Sequence, residues 1–378
     1  MDFDLSAPQQ QRYDDVLAAT RERLGGEPEP GVPFSRVRWK AAASIGLTGL
    51  CVPADLGGGG LGALDTALCL EAFGRGCPDT GLVFAVAAHL LACVVPVRDF
   101  AGAGQRDRLL AGLAAGDLIA ANAMTEPDAG SDVGHLGTAA LRDGDDYVLT
   151  GEKSFASNAP VADLFVTYGV SDPAAGFLGT SAFAVPRELA GIEVGPPYAK
   201  MGLEGCAASW VRFTGCRVPA EFRLGAEGQG SAVFQHSMGW ERACLFAAYV
   251  GLLDDQLERC VAHARQRRQF GRRLGDFQAV SHRIATMTQR LEAARLLLYR
   301  ACWLLDQDRP HGTAVALAKV AVSEAAIANG LDAVQVFGGA GYLRPAGIER
   351  GLRDSVASTI FSGTSEIQRE LVARELGL

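Results

Sequence analysis

Leu118-Ile-Ala-Ala-Asn-Ala-Met-Thr-Glu-Pro-Asp-Ala-Gly-Ser-Asp132 is where this chain changes its period. Before it, apolar residues recur at helical spacing. Residues 9–24, 34–47, 63–73, 81–95 and 105–115 read as helices punctuated by Gly and Pro. From Leu118 onward the runs become short and β-prone: 118–124, 146–149, 163–168, 181–185 and 209–213. Turn signals such as Arg142-Asp-Gly-Asp-Asp146 separate them. After Gly228 the helical period returns over 240–264, 276–306, 315–337 and 348–376, which are long enough for an antiparallel bundle. The expected class is α+β: an N-terminal helical bundle (1–118), a central antiparallel β-domain (119–226) and a C-terminal four-helix bundle (227–378).

The bulk properties exclude several functions. Hydrophobic residues are 48% of 378, enough for a large buried core, and disorder is not indicated. The net charge is -8 and the one dense basic run is 265–273, so phosphate-neutralising nucleic-acid binding is not expected. The longest apolar run, 81–97, is interrupted by His89 and Pro96 and falls short of the roughly 20 residues of a spanning helix. It reads as a core helix. The start, Met1-Asp-Phe-Asp4, is acidic where a signal peptide is basic. Nine scattered cysteines without a C-x-x-C pair read as reduced thiols of a cytoplasmic protein, and no histidine pairing suggests a metal. Gly57, Gly59 and Gly62 match G-x-G-x-x-G, but their neighbours look helical, so this is read as an inter-helix loop.

Four segments can carry chemistry. In 122–132, Thr125 and Ser131 offer hydroxyls, and Gly130 lets the backbone turn close to a ligand; an ordinary polar loop is the plain alternative. In Gly151-Glu-Lys-Ser-Phe-Ala-Ser-Asn-Ala159, Phe155 could cover a ring system and Ser157 bond its edge, or Phe155 could be core. In Arg265-Gln-Arg-Arg-Gln-Phe-Gly-Arg-Arg273, clustered cations suit a pyrophosphate, or merely a solvated helix end. The fourth combines Gln335-Val-Phe-Gly-Gly-Ala-Gly-Tyr342 with Ile360-Phe-Ser-Gly-Thr-Ser-Glu-Ile-Gln368, where Gly363-Thr364 opens a helix whose N–H groups can face an anion.

Together, in this order and on this layout, the segments resemble the acyl-CoA dehydrogenase family over nearly the whole chain. The resemblance implies an FAD enzyme that oxidises an acyl thioester at Cα–Cβ. A carboxylate takes the α-proton while flavin N5 takes the β-hydride. It implies that Thr125, Ser131, Phe155 and Ser157 lie at the flavin ring, and that Arg267, Gln269, Phe270, Phe277, Gln278, Gln335, Gly339, Thr364 and Glu366 contact FAD. In the family many of these reach a neighbouring subunit's flavin, so a homotetramer, or at least a dimer, is expected.

Many members of the family carry the catalytic Glu immediately before the Gly-Thr of the tail. Here that position is Ser362, which cannot act as a carboxylate base. A minority carry it on a helix just before an Arg, the position of Glu241 before Arg242. Glu241 alone could be an acid at a helix start; the vacancy at 362 makes it the expected base. Ser131, Arg242, Ser362 and Gly363 are expected beside the substrate, with the Ser362 N–H polarising the thioester carbonyl.

The contexts Met238-Gly-Trp-Glu-Arg-Ala-Cys-Leu-Phe246, 153–163 and 361–365 are similar to the subgroup acting on prolyl groups tethered to a peptidyl carrier protein. This implies conversion of L-prolyl to pyrrole-2-carboxyl thioester by two successive two-electron oxidations. The phosphopantetheine arm then replaces part of CoA, and an electron-transfer flavoprotein or O2 reoxidises the flavin. The alternatives are a short- or branched-chain, isovaleryl-like acyl-CoA dehydrogenase, another carrier-bound aminoacyl dehydrogenase, and a flavin-dependent oxygenase or silent partner subunit on the same fold.

Overall fold

Helix starts in this computed structural model, which describes residues 4–29 and 31–378, are set by identifiable caps. (The acidic Met1–Phe3 lies outside the described residues.) Helix α1 (Ala7–Leu24) begins where the Gln9 side chain accepts from the Ser6 N–H at 3.1 Å. Helix α2 (Arg36–Ser44) is capped by Ser35. Helix α3 (Ala63–Gly76) opens on the Asp306 carboxylate, which accepts from the N–H groups of Ala63 and Leu64 at 2.5 and 2.9 Å. The glycine-rich loop before it therefore meets a carboxylate of the chain itself, as an inter-helix loop. Helix α4 (Thr80–Ala88) runs through a π-turn (His89–Val94) into α5 (Val95–Phe100), and α6 (Ala103–Ala114) follows.

The middle of the chain forms one sheet. Its strands are β1 (Ala120–Ala123), β2 (Ala139–Asp143), β3 (Asp146–Ser157), β4 (Leu164–Val170), β5 (Thr180–Pro186), β6 (Ile192–Val194), β7 (Ala208–Val218) and β8 (Arg223–Leu224). The order is β6-β7-β3-β2-β4-β5-β8, with β1 beside β4. The expected antiparallel sheet is in fact mixed. β1 pairs parallel with β4, Asn122 opposite Val166, because the β2–β3 hairpin intervenes and serves as the crossover. β2 and β6 went unseen because each is short and half-exposed.

The rest is helical: α7 (Gly230–Trp240), a π-turn (Glu241–Leu245), α8 (Ala247–Gln266), the small hairpin β9 (Arg268–Gln269) and β10 (Arg272–Arg273), α9 (Gln278–Asp306), α10 (Gly312–Phe337), α11 (Gly339–Tyr342), α12 (Ile348–Val356) and α13 (Ser365–Glu375). α10 packs against α8, α9, α12 and α13, the expected bundle. Residues 348–376 do not form one helix: α12 gives way to a 3-10 turn at Ala357–Thr359, and Ser362 and Gly363, with φ of 56° and 84°, turn the chain before α13. α3 lies on α8 so closely that a Cβ at Gly74 would sit 2.1 Å from the Ala248 carbonyl oxygen. One core consequently runs through both helical regions and onto one face of β1 and β4, while the sheet's other side has its own. Two segments, Thr80–Phe100 and Gly312–Phe337, are apolar and long enough to cross a membrane, but most of each is packed inside this core.

Candidate active site

Glu241 is the first residue of the π-turn after α7 and is buried, with 7% of its surface exposed. A π-turn carries one residue more than an α-turn, and such turns recur at functional sites. This one packs against the other π-turn, His89–Val94. There His89 accepts from the Ala120 N–H at 3.0 Å through Nδ1, which leaves Nε2 to donate to the Leu113 carbonyl at 3.3 Å. Burial pushes His89 down to about 4, so the ring is neutral and joins the helices to the start of β1.

The Glu241 carboxylate has two unlike oxygens. Oε1 accepts a short hydrogen bond from the Ser362 hydroxyl. Oε2 is buried without a hydrogen-bond partner among the described residues. Burial pushes the carboxyl up, the Ser362 bond pulls it back, and Arg242 adds a smaller pull in the same direction. Ser362 keeps its left-handed backbone because Arg242 Nε donates to its carbonyl at 2.8 Å and Gln368 Nε2 at 3.3 Å. Gly363 has φ 84°, a backbone that strains any residue with a Cβ, which favours glycine there.

The opposite wall is the loop after β1, held by a buried ion pair. Lys153 Nζ bonds Glu126 Oε1 at 2.7 Å and the Met124 carbonyl at 3.2 Å. Glu126 also accepts from the N–H groups of Gly137 and Thr138 at 2.6 and 3.0 Å. Burial lowers Lys153 to about 8 against the pull of Glu126; burial also works against ionised Glu126, but Lys153 and these donors hold its pKa below the usual value. The pair fixes Thr125, whose carbonyl accepts from the Ser154 N–H at 2.7 Å. Just beyond, the β3–β7 register slips between Lys153 and Ala156. Phe155 takes φ 55° there and stands 68% exposed, so it is not core. A bulge re-aims a side chain in this way, and Phe155, tilted on Tyr198 with ring centroids 5.5 Å apart, lines a cavity.

Two cavities meet at Glu241. The first, of about 350 Å³, is lined by Phe84, Thr125, Phe155, Ser157, Phe361 and Thr364 among others. The second, of about 380 Å³, is lined on its far side by Arg242, Ile367, Glu370 and Arg374. Asn122, Met124, Thr125, Gly130, Ser131, Glu241, Ser362 and Gly363 line both. Of the residues singled out in the sequence, Thr125, Ser131, Phe155, Ser157, Glu241, Arg242, Ser362, Gly363 and Thr364 are thus brought together. Thr364 also caps α13, its hydroxyl accepting from the Ile367 N–H at 3.3 Å.

The remaining candidates lie elsewhere. Arg267, Gln269, Phe270, Phe277 and Gln278 surround the β9–β10 hairpin, with Phe270 92% exposed at φ 51°. Gln335 and Gly339 are exposed at the end of α10. His263 stacks on Phe337 at 4.2 Å, so the C-terminal ends of α8 and α10 lie side by side and both groups share one end of the bundle. Glu366 is exposed on the first turn of α13. None of these lines either Glu241 cavity.

The chain matches the acyl-CoA dehydrogenase N-terminal domain over residues 15–117, the middle domain over 121–216 and the C-terminal domain over 228–377. It belongs to the acyl-CoA dehydrogenase family. Within the family it is 51% identical to the L-prolyl-[peptidyl-carrier protein] dehydrogenase of Pseudomonas fluorescens strain Pf-5, over the full length of both chains. The solved structure of PigA with FAD and proline is 42% identical, with a TM-score of 0.96 and full coverage of both chains. The prolyl acyl carrier protein oxidase AnaB is 37% identical, with a TM-score of 0.96 over 99% of this chain and all of that one.

Three features of this family member were missed in the sequence. The Glu126–Lys153 pair sits inside two quoted motifs, where opposite charges in buried surroundings were the available signal. His89 was read only as an interruption of an apolar run. Asn122 was quoted without a role, although it alternates with two small, buried neighbours on β1.

Proposed function

We propose that this chain is an FAD-dependent dehydrogenase of L-prolyl groups held as thioesters on a peptidyl carrier protein, and that Glu241 is its base. The observation that carries the reading is the single buried carboxylate with an unpartnered oxygen at the junction of the two cavities. Oε2 of Glu241 is aimed at no protein donor and can take the α-proton, while Ser362 holds Oε1. Burial raises the affinity of Glu241 for that proton. The Ser362 N–H polarises the thioester carbonyl on which charge develops.

The first cavity fits a flat ring system. Phe155 offers an aromatic ring in its lining, and Thr125, Ser131 and Ser157 offer hydroxyls. FAD bound there supplies the hydride acceptor. Two rounds of proton and hydride removal convert prolyl to pyrrole-2-carboxyl. The second cavity, opening toward Glu370 and Arg374, takes the phosphopantetheine arm. The electron acceptor is an electron-transfer flavoprotein or O2.

The exposed hairpin group and the Gln335–Gly339 group are placed to hold FAD across a subunit boundary. A homotetramer supplies both, and Phe270, standing almost wholly free of its own chain, supports this. Domain boundaries at 118/119 and 226/227 fit the loops between α6 and β1 and between β8 and α7. A cytoplasmic location fits nine buried, unpaired cysteines.

Prolyl-loaded carrier protein should bleach the flavin, and isovaleryl-CoA should not. Glu241→Gln should remain yellow and folded yet fail to be reduced. Normal turnover by that variant would remove Glu241 from the base role, and bleaching by the CoA ester alone would overturn the substrate.

A further inference from the structure

A prolyl group differs from a carbocyclic acyl group of the same shape by one feature: an amine N–H on the α-carbon. Once the ring sits beside buried Glu241 this donor has left most of its water. A buried donor without an acceptor is costly, so a site for prolyl needs an acceptor beside the α-carbon. Glu241 Oε2 is not available for this, because it must face the α-proton.

The first cavity is lined by apolar side chains such as Phe84, Met124 and Phe361 and by hydroxyl side chains, Thr125, Ser131 and Ser157 among them. Two amides also line it. Asn158 is already committed, its Nδ2 donating to the carbonyls of Ala85 and Ala120 at 2.9 and 3.4 Å and its Oδ1 accepting from the Cys206 thiol at 3.7 Å. Asn122 is different. Its Oδ1 is buried and has no hydrogen-bond partner among the described residues. Asn122 lies on β1, where side chains alternate between two faces. Ala121 and Ala123 pack into the core of the sheet. Ala120, Asn122 and Met124 face the cavity. Asn122 is the one polar side chain on that face, and like Glu241 it lines both cavities. Parallel pairing with Val166 holds its backbone, and His89 holds the strand's first N–H, so the amide is presented from a rigid element.

We propose that Asn122 Oδ1 accepts the hydrogen bond from the prolyl ring nitrogen and so selects an α-amino thioester over a plain acyl thioester. The inference rests on the prolyl reading above. Of the buried oxygens without a partner among the described residues, two line these cavities, and they meet different parts of one substrate: Glu241 Oε2 receives the α-proton, and Asn122 Oδ1 receives the N–H. The second contact also fixes which face of the α-carbon meets the base. A linear or branched acyl group would leave Asn122 unpaired, and that penalty acts against such substrates.

The test compares prolyl-loaded carrier protein with cyclopentanecarbonyl-loaded carrier protein, by flavin reduction, in the FAD-loaded enzyme and its Asn122→Leu and Asn122→Asp variants. The wild type should prefer prolyl. In Asn122→Leu the prolyl-to-cyclopentanecarbonyl ratio of kcat/KM should fall on the order of 10- to 100-fold. Asn122→Asp, which keeps an acceptor, should retain the preference. An equal loss on both substrates, or a weakened flavin spectrum with an unchanged ratio, would make Asn122 a structural or flavin residue and overturn the proposal. If the wild type reduced no flavin with prolyl carrier but did so with isovaleryl-CoA, the substrate reading and this proposal would fall together. A prolyl-active wild type with an unchanged ratio in Asn122→Leu would sink this proposal alone.

Discussion

Replacing Ser362 with Ala removes the one side-chain hydrogen bond that the Glu241 carboxylate receives among the described residues. Backbone strain is not altered, since Ala meets the same φ of 56° as Ser. A hydrogen bond to a charged group contributes about 1.5–3 kcal/mol. The donor favours the ionised carboxylate, and Glu241 is buried with its other oxygen unpartnered, so little solvent can replace the bond. Losing it pushes the Glu241 pKa further up. At about 1.36 kcal/mol per tenfold, the ionised fraction at a fixed pH on the acid limb falls roughly 10- to 150-fold. Stopped-flow flavin reduction across pH is the assay. The acid limb of the rate profile should move to higher pH, with the wild-type rate approached again where the base is fully ionised. An unmoved limb, or the same fold loss at every pH, would refute the idea that Ser362 acts through the protonation of Glu241.

Other consequences can be measured without substrate. The folded-state pKa of Glu241 is raised by burial, so below the unfolded value both states hold the proton, and stability falls as pH rises between the two values. Glu241→Gln should therefore raise Tm at neutral pH, with the gain vanishing below about pH 4, near the unfolded Glu value; a gain independent of pH would point to packing. Lys153→Met leaves Glu126 buried without its cation and should cost about 3–5 kcal/mol, read by denaturant unfolding, with loss of flavin as the 125–131 loop loosens. A near-neutral change would show that the pair does not hold the loop. Arg267→Ala should release FAD on dialysis without changing the fold by circular dichroism; full flavin occupancy would remove Arg267 from the cofactor site.

Much of this was legible in the chain because its chemistry is local. Periodicity separates helix from strand over a few residues, and the motifs around Thr125, Ser131 and Ser157 are short and contiguous, so the family resemblance could group them. The base was legible by contrast, through Ser362 standing where a Glu is usual and Glu241 standing before an Arg. What was not legible depends on residues far apart in sequence. The bond between Ser362 and Glu241 joins segments 121 residues apart. The parallel pairing of β1 with β4 depends on a hairpin between them. Both π-turns lie in apolar runs whose period looks helical throughout. Phe155 read equally well as core or as a ring cover, because only the β3–β7 register slip turns it outward.

The most direct test of the central claim is mass spectrometry of prolyl-loaded carrier protein after incubation with the FAD-loaded enzyme and an electron acceptor. The carrier-bound prolyl group should lose four hydrogens with wild-type enzyme and none with Glu241→Gln. An unchanged mass with wild-type enzyme, or the same loss with both proteins, would contradict the account.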